Sequence, residues 1–324
     1  LLSKIASAGV NGQFRTPRHI IELMVKMTAP GPTDEICDPA CGTAGFLVSA
    51  SEYVRDTHES VLTDAAQRKH FHNSMFHGYD FDSTMLRIGS MNMLMHGIEA
   101  PDIRYRDSLS EGASEDAEKY TLILANPPFN YHPWNQEKLL EDKRWKYGTP
   151  PAGNANYAWI QHMIHHLAPS GKIGLVLANG ALSTQSSGEG KIRKNIIEAD
   201  LIEGIIAMPT KLFYSVTIPV TLWFITKGKK QPGKTLFIDA RKMGHMVDRK
   251  HRDFTDEDIQ KLADTFEAFQ NGTLEDVQGF CKVAPLEDIA KQDYILTPGR
   301  YVGIEEQEDD GEPFEEKMAR LTSE

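Results

Sequence analysis

The apolar run Thr121-Leu122-Ile123-Leu124-Ala125 leads straight into Asn126-Pro127-Pro128-Phe129. Two prolines at the end of a buried strand fix φ and remove two backbone donors, leaving carbonyl acceptors on a stiff turn. The side-chain oxygen of Asn126 and the carbonyl of Pro127 can each accept one hydrogen of a substrate amine. Adenine N6 is such an amine, and a poor nucleophile, because its lone pair is delocalised into the ring. Fixed acceptors favour a tetrahedral nitrogen and act where positive charge develops. Neither a metal nor a covalent intermediate is required. Phe129 offers a face for a flat base. A chance Asn-Pro-Pro turn is the bland alternative, and its position after an apolar strand, fourth in a regular series, argues against it.

A second constellation precedes the first. Glu35-Ile36-Cys37-Asp38-Pro39-Ala40-Cys41-Gly42-Thr43-Ala44-Gly45-Phe46-Leu47 reads as strand, glycine-bearing turn and helix start. Gly42 and Gly45 let backbone pass close to a ligand, yet the spacing lacks the three glycines that seat a dinucleotide pyrophosphate. Asp38 at the strand end suits an ammonium better than a phosphate. Asp80, ending the next strand, is placed to accept from ribose hydroxyls, and Asp107, ending the one after, from an adenine amine. Asp is common in turns, but three acids on successive strand ends describe a pocket for a cationic nucleoside. S-adenosylmethionine fits that description best.

These residues need a scaffold, and the chain supplies one. Apolar runs at residues 35–37, 76–79, 103–105, 121–125, 173–178, 202–207, 220–226 and 235–238 alternate with helix-like stretches at 45–56, 83–96, 157–167 and 191–199. Such alternation predicts an α/β fold, a doubly wound and mostly parallel sheet with helices on both faces. No helix intervenes between 220–226 and 235–238, so these runs are expected to close the sheet as an antiparallel pair. Ahead of the glycine turn, residues 13–28 read as a loop and an amphipathic helix with Thr16 as N-cap and Pro17 as first helical residue. A charged helix at 256–269 and an acidic tail follow, dividing the chain into a catalytic domain (1–250) and an acidic helical extension (251–324).

The 324 residues carry a net charge of −11, unevenly spread. Residues 255–324 hold 19 acidic and 6 basic side chains, leaving 27 and 29 in the rest. A nearly neutral catalytic part implies weak intrinsic affinity for nucleic acid, because Lys and Arg neutralising phosphates supply most non-specific binding. The absence of a long apolar run or an export signal, and an odd cysteine count (Cys37, Cys41 and Cys281) without zinc spacing, suggest a cytoplasmic protein. The first residue is Leu1, which suggests a truncated chain.

With these residues in hand, the chain resembles the Asn-Pro-Pro-Phe amino-methyltransferases that modify adenine N6 in DNA, and more narrowly the modification subunit of type I restriction–modification systems. The family's cofactor motif matches residues 38–47 and its catalytic tetrapeptide Asn126, Pro127, Pro128 and Phe129. A further cofactor motif, placed first in the type I subgroup, matches Gln13-Phe14-Arg15-Thr16-Pro17-Arg18. Asp80 falls where the family holds ribose, and Asn92 matches a pattern on the next helix. Residues 153–159, 207–226 and 297–302 also resemble type I segments, so the likeness covers residues 11–302. Ala44 stands where many members have Gly, and a helical region that precedes the Thr-Pro motif in the family is missing. The resemblance implies S-adenosylmethionine as cofactor, double-stranded DNA with a flipped adenine as substrate, and assembly with a specificity subunit, a second modification subunit and, in some complexes, a restriction subunit.

The target atom lies inside the duplex, so the base must be flipped and held by stacking. By resemblance, Phe213 or Tyr214 is the second wall opposite Phe129. Residues 130–156 mix Tyr131, Trp134, Lys143, Arg144, Trp145, Lys146 and Tyr147 with turn formers and are expected to form a lid or a DNA-facing loop. His162, His165 and His166 have helical spacing but no partner cluster, so no metal is expected there. Lys227-Gly228-Lys229-Lys230 reads as a polar hairpin turn. Competing functions are an RNA guanine-N2 methyltransferase, a protein-glutamine methyltransferase and a non-catalytic scaffold of the same fold. The Thr-Pro segment and the type I-like stretch after Pro209 disfavour the first two, and the intact tetrapeptide the third.

Overall fold

The alternation of short apolar runs with amphipathic stretches becomes strands and helices at nearly the expected places in a computed structural model, which describes residues 15–213 and 219–303. α1 (Arg18–Thr28), β1 (Ile36–Asp38), α2 (Gly45–Thr57), α3 (Ser60–Thr63), α4 (Ala65–Asn73), β2 (Phe76–Asp80), α5 (Ser83–Met95), β3 (Asp102–Tyr105) and β4 (Tyr120–Ala125) form the first half. The second half contains α6 (Asn156–His166), β5 (Leu167–Ala178), α7 (Glu189–Glu198), β6 (Ile202–Ala207), β7 (Val220–Thr226) and β8 (Lys234–Asp239). A small hairpin, β9 (His245–Met246) with β10 (Arg252–Asp253), then leads to α8 (Asp256–Gln270), β11 (Cys281–Pro285), α9 (Leu286–Lys291) and α10 (Gly299–Val302).

Nine strands make one sheet in the order β11-β8-β6-β7-β5-β4-β1-β2-β3. β1 pairs in parallel with both β2 and β4, β4 with β5, and β6 with β8. The antiparallel pairing differs in detail from expectation. β7 inserts between β5 and β6, antiparallel to both, so runs 220–226 and 235–238 are not neighbours. The sheet does end in an antiparallel pair, but its members are β8 and β11. A strand buried on both faces reads as a continuous apolar run, so the sequence pattern could not say which strand it pairs with.

Both faces are covered. Along β7, Leu222 and Phe224 face α1, α2 and α8, while Trp223 and Ile225 face the side of α6 and α7. The segment after residue 250 belongs to this architecture as well as extending it: α8 buries Leu262, Phe266 and Phe269 against the sheet, and β11 supplies its edge. α1 begins one residue later than expected, with Pro17 as N-cap and no side-chain capping bond.

Because β1 leads outward to β2 and β3 while β4 leads the other way, the chain reverses between β1 and β4. Ligands in open α/β sheets sit at such a switch point, beyond the carboxyl ends of the strands. Asp38 ends β1, and Asn126 immediately follows β4.

Candidate functional site

The loop from β1 to α2 is a rigid cradle. Cys41 N–H donates to the Tyr79 carbonyl and Ala44 N–H to that of Cys41. Gly42 (φ 50°) and Ala44 (φ 62°) both adopt left-handed backbone, and Ala44 is the N-cap of α2. Glycine tolerates that region without cost, whereas a Cβ makes it unfavourable by about 1–2 kcal/mol. Two side chains, one ending β2 and one on α5, hold the loop: Asp80 Oδ2 accepts from Gly42 N–H at 3.0 Å, and Asn92 Nδ2 donates to the Thr43 carbonyl at 2.9 Å. Helix α5 comes close because residue 89 is glycine; a Cβ there would lie 3.1 Å from the Gly42 carbonyl oxygen.

Asp38 is 2% exposed and accepts from Ala40 N–H at 3.0 Å. Burial raises its pKa to about 8, opposed by that hydrogen bond and reinforced by Asp80. Burial raises Asp80 too, although its oxygens accept from the N–H groups of Asp82 and Gly42. Two buried carboxylates sharing a pocket disfavour each other's charge, and a cation between them relieves that. The third strand-end acid, Asp107, is exposed and accepts from Leu109 N–H at 3.0 Å. Acids so placed can accept hydrogen bonds from an ammonium and from the hydroxyls and amine of a nucleoside.

Asn126 Nδ2 donates to Thr16 Oγ1 at 2.9 Å. The hydroxyl expected to cap α1 therefore reaches the end of β4, 110 residues away in sequence. Anchoring the NH2 end on Thr16 sets which end of the amide is the acceptor. Pro127 and Pro128 are buried, and Phe129 is half-buried. Phe213 is 4% exposed and meets Phe129 edge to face, with ring centroids 6.5 Å apart. Its ring is packed in the core rather than presented as an open face. Arg15, Thr16, Pro17 and Arg18 enter α1 beside the site, while Gln13, Phe14 and Tyr214 lie outside the described residues.

Residues 130–156, expected to form a lid or a DNA-facing loop, are anchored by buried side chains while Lys143 and Lys146 stay exposed. Trp134 and Trp145 are buried and pack edge to face at 5.7 Å. Arg144 is 1% exposed, ion-paired to Asp142 at 2.8 Å, and donates to the Ser108 and Ser110 carbonyls and to His162 Nδ1. It ties the segment to the strand-end turn that carries Asp107. His162 and His166 are packed side chains; burial lowers the first well below the usual range and the second to about 4. No cluster of metal-binding side chains occurs among the described residues. The three cysteines are buried and free.

Sequence reasoning missed Gly89 and Ser108, whose hydroxyl donates to the Pro39 carbonyl at 2.7 Å, and it named Arg144 without its buried contacts. It also missed His19, whose Nδ1 lies 2.6 Å from Asp253 and fastens the start of α1 to β10. A glycine in mid-helix at 89 was the one visible signal; the others are contacts between segments far apart in sequence.

Comparison with known proteins places the chain in a family. Residues 1–310 match the family described as N-6 DNA Methylase. Over 97% of its length the chain is 46% identical to the HindI type I restriction enzyme methylase subunit of Haemophilus influenzae. Over the same share it is 43% identical to the MjaIX type I restriction enzyme methylase subunit of Methanocaldococcus jannaschii. It spans 68% of the first relative and 56% of the second. Its fold is similar to that of the type I restriction-modification system methyltransferase subunit from Streptococcus thermophilus, with a TM-score of 0.79 at 25% identity over 94% of this chain and 62% of that one.

Proposed function

The chain belongs to the N-6 DNA methylase family, and from that premise we propose that it transfers a methyl group from S-adenosylmethionine to adenine N6 in double-stranded DNA, as the modification subunit of a type I restriction–modification complex. The observation that supports the reading is the placement of two motifs on adjacent strand ends at the β1/β4 switch point: the acidic glycine loop after β1, and the Asn126–Phe129 turn after β4 with Asn126 anchored on Thr16.

S-adenosylmethionine, when bound, supplies an electrophilic methyl on a sulfonium. The residues do the rest. Asp38 accepts the ammonium, Asp80 the ribose and Asp107 the adenine amine of the cofactor, while residues 42–45 give backbone room beside it. Asn126 Oδ1 and the Pro127 carbonyl hold the two N6 hydrogens of the target base, turning the lone pair outward. As the N–C bond formed and the methyl–sulfur bond broke, the donor leaving as a neutral thioether, the same oxygens would carry the growing positive charge until one proton passed to water. Phe129 stacks on the flipped base, with Tyr214 as the candidate opposite, since Phe213 is packed in the core.

The near-neutral catalytic part supports dependence on a specificity subunit, two modification subunits acting per complex, with a restriction subunit joining in complexes that cleave. We place its work in the cytoplasm, beside the DNA; no helix among the described residues is long and apolar enough to cross a membrane. Asn126→Ala tests the assignment. Methyl transfer is expected to vanish while cofactor affinity stays within about twofold, as for an interaction made only in the transition state. Loss of cofactor binding in the same variant would remove Asn126 from the acceptor role.

A further inference from the structure

Outside the site just described, one surface feature is strongly charged, exposed and fixed to the catalytic edge. β8 runs parallel to β6, and through the antiparallel β7 it also runs in the direction of β5, β4 and β1. Its carboxyl end therefore opens on the same edge as Asp38 and Asn126. There residues 241–253, which include the β9–β10 hairpin, carry Arg241, Lys242, Arg249, Lys250 and Arg252 alongside Asp248 and Asp253, with Arg241 paired to Asp239 at the end of β8. In a chain of net charge −11, such a local excess of cations is conspicuous.

Both acids are engaged, Asp248 within the turn and Asp253 on the start of α1. Asp248 accepts from the N–H groups of Lys250 and His251 and pairs with His251 Nδ1 at 2.6 Å, which builds the turn. Asp253 pairs with His19. Arg252 N–H donates to the Lys211 carbonyl and Lys211 Nζ to that of Arg249, so the hairpin is braced against the segment carrying Phe213. Among the described residues neither Arg249 nor Lys250 is paired with a carboxylate, and both are exposed. Met246 and Val247 beside them are 41% and 62% exposed, an unusual sight next to a charged turn.

We propose that this hairpin is a contact for the phosphate backbone of duplex DNA flanking the target adenine, with Arg249 and Lys250 as the phosphate ligands and Val247 at the groove. The inference rests on the DNA-methylating reading. Two cations held by a braced turn lose little entropy on meeting phosphate, and exposed apolar side chains next to them suit the floor or wall of a groove. The fit is to a polyanion rather than to an acidic protein patch, because the cations lie on the edge that must receive the base.

The test is a titration of the chain with its specificity subunit, using a fluorescent duplex oligonucleotide that carries the recognition site, at several salt concentrations. R249E/K250E is compared with R68E/K69E, which makes the same charge change on the exposed α4, near the amino ends of the strands. The hairpin variant should lose at least about tenfold in affinity and about two units of salt slope, one for each phosphate contact, and keep its cofactor affinity. The α4 variant should bind as the wild type does. Equal losses in both variants would reduce the effect to net charge and overturn the proposal, as would no loss in either. A wild-type complex that binds no duplex would instead overturn the DNA-methylating reading beneath it.

Discussion

At the scale of single residues, the site turns on acids and acceptors held where their ordinary behaviour changes. Asp38 has its carboxyl raised from 3.8 to about 8 by burial. In the ligand-free protein its stabilising contribution is therefore fully present below pH 3.8 and is lost as the pH rises through about 8. A cationic ligand reverses the preference, since it needs the charged form. Calorimetry in buffers of different ionisation enthalpy should show proton release on binding S-adenosylmethionine near pH 7. Affinity should weaken towards lower pH, at most about tenfold per unit, and Asp38→Asn should flatten that dependence. Proton release retained in the Asn variant would assign the titrating group elsewhere. Thr16 gives a sharper test. Thr16→Val keeps the shape and removes the acceptor for Asn126 Nδ2, so methyl transfer should slow by about ten- to hundredfold, the equivalent of about 1–3 kcal/mol, while Thr16→Ser restores it. The types and spacing of these residues were readable from sequence. The bond between Thr16 and Asn126 was not, because it joins segments 110 positions apart.

At the scale of elements, the cradle is held by what its neighbours lack or lend. Ala44 in left-handed backbone carries strain that glycine would relieve, so Ala44→Gly should raise the unfolding free energy by about 1 kcal/mol. Gly89→Ala should act oppositely: its Cβ pushes on the Gly42 carbonyl, shifts α5 from the loop and weakens cofactor binding. An unchanged dissociation constant would mean that the helix yields instead. Arg144 illustrates what pattern reading cannot reach. An arginine between Lys143 and Trp145 in a turn-rich stretch looks like a solvated or DNA-facing side chain, yet it is sealed in with Asp142. Asp142 is held below the carboxylate range by that arginine, despite burial that works the other way. Arg144→Met leaves a buried carboxylate unpaired and should cost about 3–5 kcal/mol in thermal or urea unfolding. The helices and most strands were legible because burial imposes a period on them. Strand pairing was legible only where a connection forced it, which is why β7 was assigned the wrong neighbour.

At the scale of the whole molecule, the sheet, its two helical layers and the residues after 250 act as one core. A chain ending at residue 254 would expose β8 as an edge and uncover the surface under Phe266 and Phe269, which pack beside Phe224. It should lose cooperative unfolding, whereas an independent acidic appendage would be removed without effect. Charge belongs to this scale too: the acidity of residues 255–324 leaves only local cationic features, such as the β9–β10 hairpin, to meet a polyanion. The most direct test of the central claim is methyl transfer from labelled S-adenosylmethionine to unmethylated DNA, with and without a co-expressed specificity subunit, followed by nucleoside analysis. The account predicts N6-methyladenine, formed when the partner is present. Label in RNA or protein, or no transfer despite bound cofactor and partner, would contradict it.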